Sequence, residues 1–479
     1  MGLYTSREVL AQLGVSDFGI YNIVGGVIVL FSFIQNAMSS ATSRFFTFDL
    51  GKGDFEALKK TFSLSMVIHI FTALLIFVLG ETIGLWFLNT QLVIPEERME
   101  AANFVYQFSV LSACIGILQV PYMVAINAHE RMKIYAYFGI ADAVFKLVVA
   151  VSLGFAPIDK LKFYSVLLFA VYVVMVGFYW IYCHRSFPET HFKWFWDKRM
   201  FLERIGFGGW TTLGGISAIA ALQGVNMLLN VFHGVAANAA FGIMNQVSNA
   251  VAQFINNFAV AINPQITKSY AKNDFSYLHS LVFRSTKFMF FLAFAVAVPL
   301  ILNMDFILHL WLKNVPPFTV LLCQGILVYN LINTLGIAIN TSIIATGKIE
   351  KIYIMGCILS GCNLLIIYIL FINGFPPDII SMIYSAMAFL GVMYSFYLSK
   401  TVVQLPFLKF FKDVLLKLIL IFFITMPLPI WMSLKFNDWQ ALLVTSGIFF
   451  LLFAPSVFLI GFSSNERKFI IEKFKLKFC

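Results

Sequence analysis

Charge is what this sequence has least of. Only 12% of its 479 residues are Asp, Glu, Lys or Arg, about half the share of an ordinary soluble domain, which excludes an aqueous globular domain. Alternating segments of about ten residues, the mark of a transmembrane barrel, are also missing. The six cysteines include no C-x-x-C pair, and Cys114, Cys183, Cys323, Cys357 and Cys362 sit in or beside apolar blocks. They read as small packing residues rather than a disulfide frame or a metal site. The seven histidines are scattered as well, so no metal or other cofactor is expected. No G-x-x-x-x-G-K-[ST] occurs, because Gly347-Lys348 is followed by Ile349, which argues against ATP hydrolysis within this chain.

What the sequence has in abundance is apolar: 60% of residues are hydrophobic. They come in blocks of about 20, the length a helix needs to cross about 30 Å of hydrocarbon. Full spans are expected at 19–46, 62–86, 102–126, 134–154, 162–183, 206–230, 238–262, 286–309, 318–343, 352–372, 379–399, 414–433 and 440–462. The opening MGLYTSREVLAQL reads as the second half of a helix whose first half is missing, or as a short interfacial helix.

Lys and Arg alternate between loops. One set of alternate connections carries 24 of them and the other set 5, which puts the richer side, with the C-terminus, in the cytoplasm. The net charge of +10 then reflects topology and anionic lipid rather than nucleic acid.

The stretch from Gly14 to Leu58 recurs, weakened, as Gly234 to Leu278. Phe18-Gly19-Ile20-x-Asn22 matches Phe241-Gly242-Ile243-x-Asn245, and Lys52-x-Asp54-Phe55-x-x-Leu58 matches Lys272-x-Asp274-Phe275-x-x-Leu278. Lys133-Ile134-Tyr135 echoes Lys351-Ile352-Tyr353 at nearly the same offset. Two like-oriented halves follow, since an even number of spans separates the copies. The expected organisation is an N-terminal lobe over 1–184 with an incomplete first helix, and a basic cytoplasmic linker over 185–205. A C-terminal lobe over 206–400, two additional spans over 401–462 and a basic cytoplasmic tail over 463–479 follow. The fold class is an all-α polytopic membrane protein, with two parallel-repeat six-helix lobes around a central cavity.

Polar side chains inside hydrocarbon mark candidate sites. Asn238, Asn245, Asn249, Gln253, Asn256 and Asn263 fall within an arc of roughly 80° on one helix. Amides donate and accept, as sugar hydroxyls require. The stripe is either a wet cavity face or interhelical glue, and its length favours the wet face. Thr212, Gln223, Asn226 and Asn230 share a face, as do Asn330, Asn333 and Asn340, and as do Asn22, Gly25, Asn36, Ser40 and Arg44. Gly25-Gly26 reads as a close-packing notch. Asp142 and Lys146 meet on one face at i,i+4. They are either a mutually neutralising pair or an anion site beside a proton or sodium site. Arg44 either snorkels or meets an anion. Arg7 and Glu8 would lie mid-membrane in a complete first helix.

Three groups of residues resemble one known family. They are Leu3-Tyr4-Thr5-Ser6-Arg7 with Leu13-Gly14-Val15-x-Asp17-Phe18-Gly19-Ile20-Tyr21-Asn22-x-Val24-Gly25-Gly26, then Met38-Ser39-Ser40-Ala41-Thr42-x-Arg44-Phe45, and Val120-Pro121-Tyr122 with Ala128-His129-Glu130-x-Met132-Lys133. Together they resemble oligosaccharide flippases of bacterial polysaccharide and O-antigen clusters, in the multidrug/oligosaccharidyl-lipid/polysaccharide exporter superfamily. The resemblance implies two six-helix lobes around an alternately opening cavity in the inner membrane. It also implies a partner, undecaprenyl-pyrophosphate-linked oligosaccharide, carried to the periplasmic leaflet. Cationic residues for the pyrophosphate would be Arg44 and Lys146, with Arg7 a third. The sugar would lie against Asn22, Asn36, Asn245, Asn249, Gln253 and Asn256. Asp142 and Glu8 are the candidates for H+ or Na+ coupling.

A cation-coupled drug extruder of the same superfamily is the alternative, although such proteins usually favour aromatic and acidic pockets and acids are scarce in these spans. A membrane glycosyltransferase or polysaccharide polymerase is disfavoured, since the sequence has no D-x-D motif and no long extracytoplasmic loop.

Overall fold

A backbone in hydrocarbon must satisfy its own hydrogen bonds, so apolar blocks of this length become helices. The computed structural model describes residues 8–9, 11–14, 17–21, 24, 32–90, 92, 94–156, 159–312, 314–463 and 466–468, and every regular element among them is helical. The chain forms two compact units, Met1–Gly215 and Ile216–Cys479.

The first unit contains α1 (Ser32–Lys52), α2 (Phe55–Thr90), α3 (Glu96–Ala128), α4 (Met132–Phe155), α5 (Lys160–Ser186) and the start of α6 (Lys198–Ala271). The second holds the rest of α6, then α7 (Phe275–Leu302), α8 (Met304–Leu312), α9 (Thr319–Thr346), α10 (Glu350–Ile372), α11 (Ile379–Val402), α12 (Phe407–Ser433) and α13 (Asp438–Gly461). Among the described residues eleven of these helices are long and apolar enough to cross a membrane. One of them, α6, holds two expected spans, because Gly234 breaks it with φ +77° and ψ −172°.

Helices overrun the apolar blocks where capping residues set the ends. Asp54 accepts a hydrogen bond from the Ala57 amide at 3.0 Å, so α2 begins at Phe55, ahead of the expected 62. The span expected over 286–309 is corrected most. Its helix starts at Phe275, and Asn303 interrupts it before α8. Pro299 removes a ladder donor there, and Asn303 Nδ2 donates back to the Pro299 carbonyl at 2.9 Å.

The repeat read from the sequence has a backbone counterpart in each unit. Gly14 and Gly234 both take positive φ, at 79° and 77°. Gly53 and Asn273 do likewise, at 75° and 56°. Each of the latter precedes an aspartate that caps the next helix, Asp54 bonding Ala57 N and Asp274 bonding Tyr277 N, both at 3.0 Å. The two halves thus make the same left-handed exit and the same capped re-entry.

Within the second unit, α9 and α11 approach closely because Gly325 has no side chain. A Cβ there would meet Ser381 Cβ at 2.3 Å. The segment after 401 packs into this unit, with Phe294 of α7 lying 5.6 Å from Phe449 and 5.7 Å from Phe453, ring centre to ring centre. Asn303 adds a buried amide, donating to Thr445 Oγ at 3.0 Å. In the first unit the aromatic core includes Phe46, Phe62 and Tyr122. Cys183 and Cys323 are buried packing residues, whereas Cys362 is exposed.

Candidate functional site: an amide-lined cleft and two cationic groups

At the break in α6 the chain folds back on itself. Residues 226 and 238 would be about 18 Å apart on a continuous helix. Instead Asn238 Nδ2 donates to the Asn226 carbonyl at 2.9 Å and to its side-chain oxygen at 2.5 Å. Gln223 and Asn226 from one arm, with Asn238 and Asn245 from the other, line a cleft of about 400 Å³. Leu222, Val235 and Phe241 supply its apolar wall. The two amide faces read separately from the sequence therefore meet in one place, with donors and acceptors on both walls.

Beyond the cleft the amide stripe divides. Asn263 is tied into the unit, its Oδ1 accepting from Thr341 Oγ at 3.0 Å. Asn249, Gln253 and Asn256 are exposed and make no hydrogen bond among the described residues. The buried face of the same arm is Ala237, Phe241, Met244, Val251, Ile255 and Ala259, roughly a third of a turn away. Bare amides against acyl chains would be expensive, so this face suits water or a polar ligand. In α9, Asn330 is a packing residue, 6% exposed and joined to Ser248 Oγ at 3.2 Å, whereas Asn333 is exposed.

The cationic candidates of the first unit, Arg44 and Lys146, stand in two separate groups. Arg44 places its guanidinium 4.4 Å from the ring centre of Phe45 and 4.8 Å from that of Phe48. Arg204 lies 4.7 Å from the same Phe45 ring, so one aromatic holds two cations. Arg204 is 4% exposed, donates to Thr61 Oγ at 2.7 Å, and has an unpartnered buried Nε. Thr61 in turn donates to Asp49. No local pattern hints at this arrangement. Arg204 lies in the most basic connection, where it reads as one more cytoplasmic charge, and only a helix continuing from Lys198 carries it inward.

Lys146 and Asp142 on α4 are joined at 2.8 Å, each about one-third exposed, with the ammonium 5.4 Å from the Tyr172 ring centre. The pair is thus neutralised but still reachable. Glu8 accepts from Gln12 Nε2 at 3.0 Å, and Asn36 is exposed on α1. Arg7, Asn22, Gly25 and Gly26 lie outside the described residues.

Two charged clusters outside the hydrocarbon also escaped the sequence reading. Arg98 bridges Asp17 and Asp159. Burial of Asp159 opposes ionisation, but the Arg98 guanidinium and the amides of Leu161 and Lys162 outweigh it and hold the carboxyl below its usual range. His129, stacked 4.1 Å from Phe187, pairs with buried Glu189. Burial again works against the charge on Glu189, and the hydrogen bonds from His129 and the backbone again prevail, lowering its pKa. Among the described residues no group of three or more His, Cys, Asp or Glu is placed to hold a metal.

No protein-family model matches this sequence, and no curated protein matches it. Solved structures do. The outward-facing conformation of a multidrug resistance MATE family transporter of the MOP superfamily aligns with a TM-score of 0.72 and 14% identity, over 84% of this chain and 91% of that one. A MOP superfamily transporter from Pyrococcus furiosus Vc1 aligns at 0.69 and 14%, over 84% and 91%. MATE in the bent conformation aligns at 0.65 and 17%, over 83% and 92%. The likeness covers more than four-fifths of this chain and about nine-tenths of each of those, so this chain is a multi-pass membrane protein with the fold of MATE transporters of the MOP superfamily.

Proposed function

We propose that this protein is a flippase of the bacterial inner membrane. It moves undecaprenyl-pyrophosphate-linked oligosaccharide from the cytoplasmic to the periplasmic leaflet by alternating access, in surface polysaccharide or O-antigen biosynthesis. Its C-terminus is cytoplasmic, on the side with the excess of Lys and Arg. The single observation that carries this reading is the amide-lined cleft at Gly234 with the bare amides Asn249, Gln253 and Asn256 beyond it. The cargo joins a long apolar tail to a charged, hydroxylated head. The tail stays in lipid, while the head needs replacements for the water it gives up. Amides at Asn22, Asn36, Asn245, Asn249, Gln253 and Asn256 serve the sugar. Arg44, Lys146 and Arg7 serve the pyrophosphate, for which guanidinium and ammonium groups are the natural partners. Asp142 and Glu8 are the candidates to bind H+ or Na+, since binding alone gives transport no direction.

One observation favours a second reading, a cation-coupled drug extruder: the fold is that of multidrug MATE transporters. For the Pyrococcus furiosus protein, however, a reversed polarity of the binding pocket is taken to suggest a different function, and the cleft here offers amides without carboxylates. The two readings separate in cells. Deletion removes surface glycan under the first and ethidium efflux under the second. Arg44→Ala and Lys146→Ala each abolish surface glycan while the protein stays in the membrane. Normal glycan in both variants removes the pyrophosphate-site assignment, and ethidium efflux with intact glycan reverses the choice.

A further inference from the structure

A second cleft, of about 460 Å³, opens in the second unit where the start of α7, the first turns of α12 and the segment after α13 come together. Four cations line it, Arg284, Lys287, Lys409 and Lys417, against two carboxylates, Asp413 and Glu466.

The wall is built by Lys287. It is 5% exposed and donates to the Gly461 carbonyl at 3.0 Å, with Glu466 3.4 Å away. Glu466 is further occupied by the Ser463 amide at 2.7 Å and by Arg284 at 3.4 Å. That carboxylate therefore holds the segment after α13 against α7, its Oε1 facing Arg284 without a hydrogen bond. Lys409, Asp413 and Lys417 recur every four residues on one face of α12. Neither lysine makes an ion pair among the described residues, although both line the cleft. The cleft keeps an excess of positive charge, together with the hydroxyls of Ser276 and Ser280. Leu408, Phe411, Leu416 and Leu420 on the same helix are exposed apolar residues, positioned to meet acyl chains.

We propose that this cleft binds the phosphodiester headgroup of an anionic phospholipid, with Lys409 and Lys417 as its ligands and the chains lying along α12. Basic pockets between helices on the Lys- and Arg-rich side face the leaflet where such lipids concentrate. A bound lipid would brace α12 against α7. The inference is independent of the cargo.

The test uses the purified full chain in phosphatidylcholine nanodiscs with and without phosphatidylglycerol, followed by detergent extraction and quantification of retained lipid. Phosphatidylglycerol is retained in preference to phosphatidylcholine. Lys409→Gln and Lys417→Gln each lower its retention about five-fold, Lys412→Gln leaves it unchanged, and Lys409→Arg and Lys417→Arg preserve it. Equal retention of the two lipids, or undiminished retention in both Gln variants with an unaltered elution profile, overturns the site. A melting temperature raised as much by inorganic phosphate as by phosphatidylglycerol overturns the lipid assignment in favour of a soluble phosphate.

Discussion

Asn238 donates through its side chain to two oxygens of Asn226, at 2.9 and 2.5 Å, across the left-handed break at Gly234. The bond fixes where the arms of α6 part and so sets the width of the amide cleft. Asn238→Leu removes both interactions and strips the Asn226 side-chain oxygen of its partner. Unfolding in detergent should register a loss of about 0.6–2 kcal/mol, and an unchanged transition would mean that the glycine alone shapes the reversal.

Asn249, Gln253 and Asn256 are exposed, and a wet face predicts that water reaches them. In a cysteine-free background, Asn249→Cys and Asn256→Cys react with a membrane-impermeant thiol reagent, whereas Met244→Cys and Val251→Cys, at sites 0% and 3% exposed, do not. Thiols at 249 and 256 that stay unreactive would falsify the wet-face assignment.

Asp142 and Lys146 separate into structure and function through a double-mutant cycle. The pair is one-third exposed, so Asp142→Ala costs on the order of 1 kcal/mol rather than the 3–5 of a fully buried pair. Adding Lys146→Met restores the stability by removing the stranded charge. Transport stays lost in the stable double variant if the pair handles cargo or coupling ion. Restored transport would reduce it to a packing device.

The His129–Glu189 pair ties the 187–197 connection to the end of α3. Because the folded pKa of Glu189 lies below the usual value, its contribution is present above the unfolded value of about 4.3 and disappears as pH falls through the lower folded value. Hydrogen-exchange protection in this connection, taken relative to the intrinsic rate at each pH, therefore holds down to about pH 4.3 and falls below it. In Glu189→Gln protection is low throughout and loses that acid limb. A wild-type profile in the variant would show that the pair does not hold the connection.

Gly325 sets the spacing of α9 and α11. Gly325→Ala drives a methyl to 2.3 Å from Ser381 Cβ, an overpacking that costs about 1–3 kcal/mol. Ser381→Gly in the same chain recovers most of that. Thermal melting of the single and double variants reads the result, and a harmless Gly325→Ala would mean that the helices slide apart freely.

The sequence made much of this legible because a lipid solvent makes structure local. Each apolar block becomes a helix regardless of its neighbours, and Asp54 and Asp274 cap their helices where the repeat placed them. Helix ends were less legible, since α2 and α7 both run past the apolar residues into polar turns. The site divided along the same line. Periodicity put Gln223 and Asn226 on one face and Asn238 and Asn245 on another, but gave no reason for the two to meet.

By itself the sequence determined an all-helical membrane chain, its duplicated halves, and the side of each helix that carries amides, all consequences of composition and a 3.6-residue period. Tertiary structure alone decided which polar groups were consumed. It buried Asn330 against Ser248 and Arg204 against Thr61, and left Asn249, Gln253 and Asn256 bare. The physical reason is that hydrogen-bond partners lie 82 and 143 residues away along the chain, a distance no local pattern encodes.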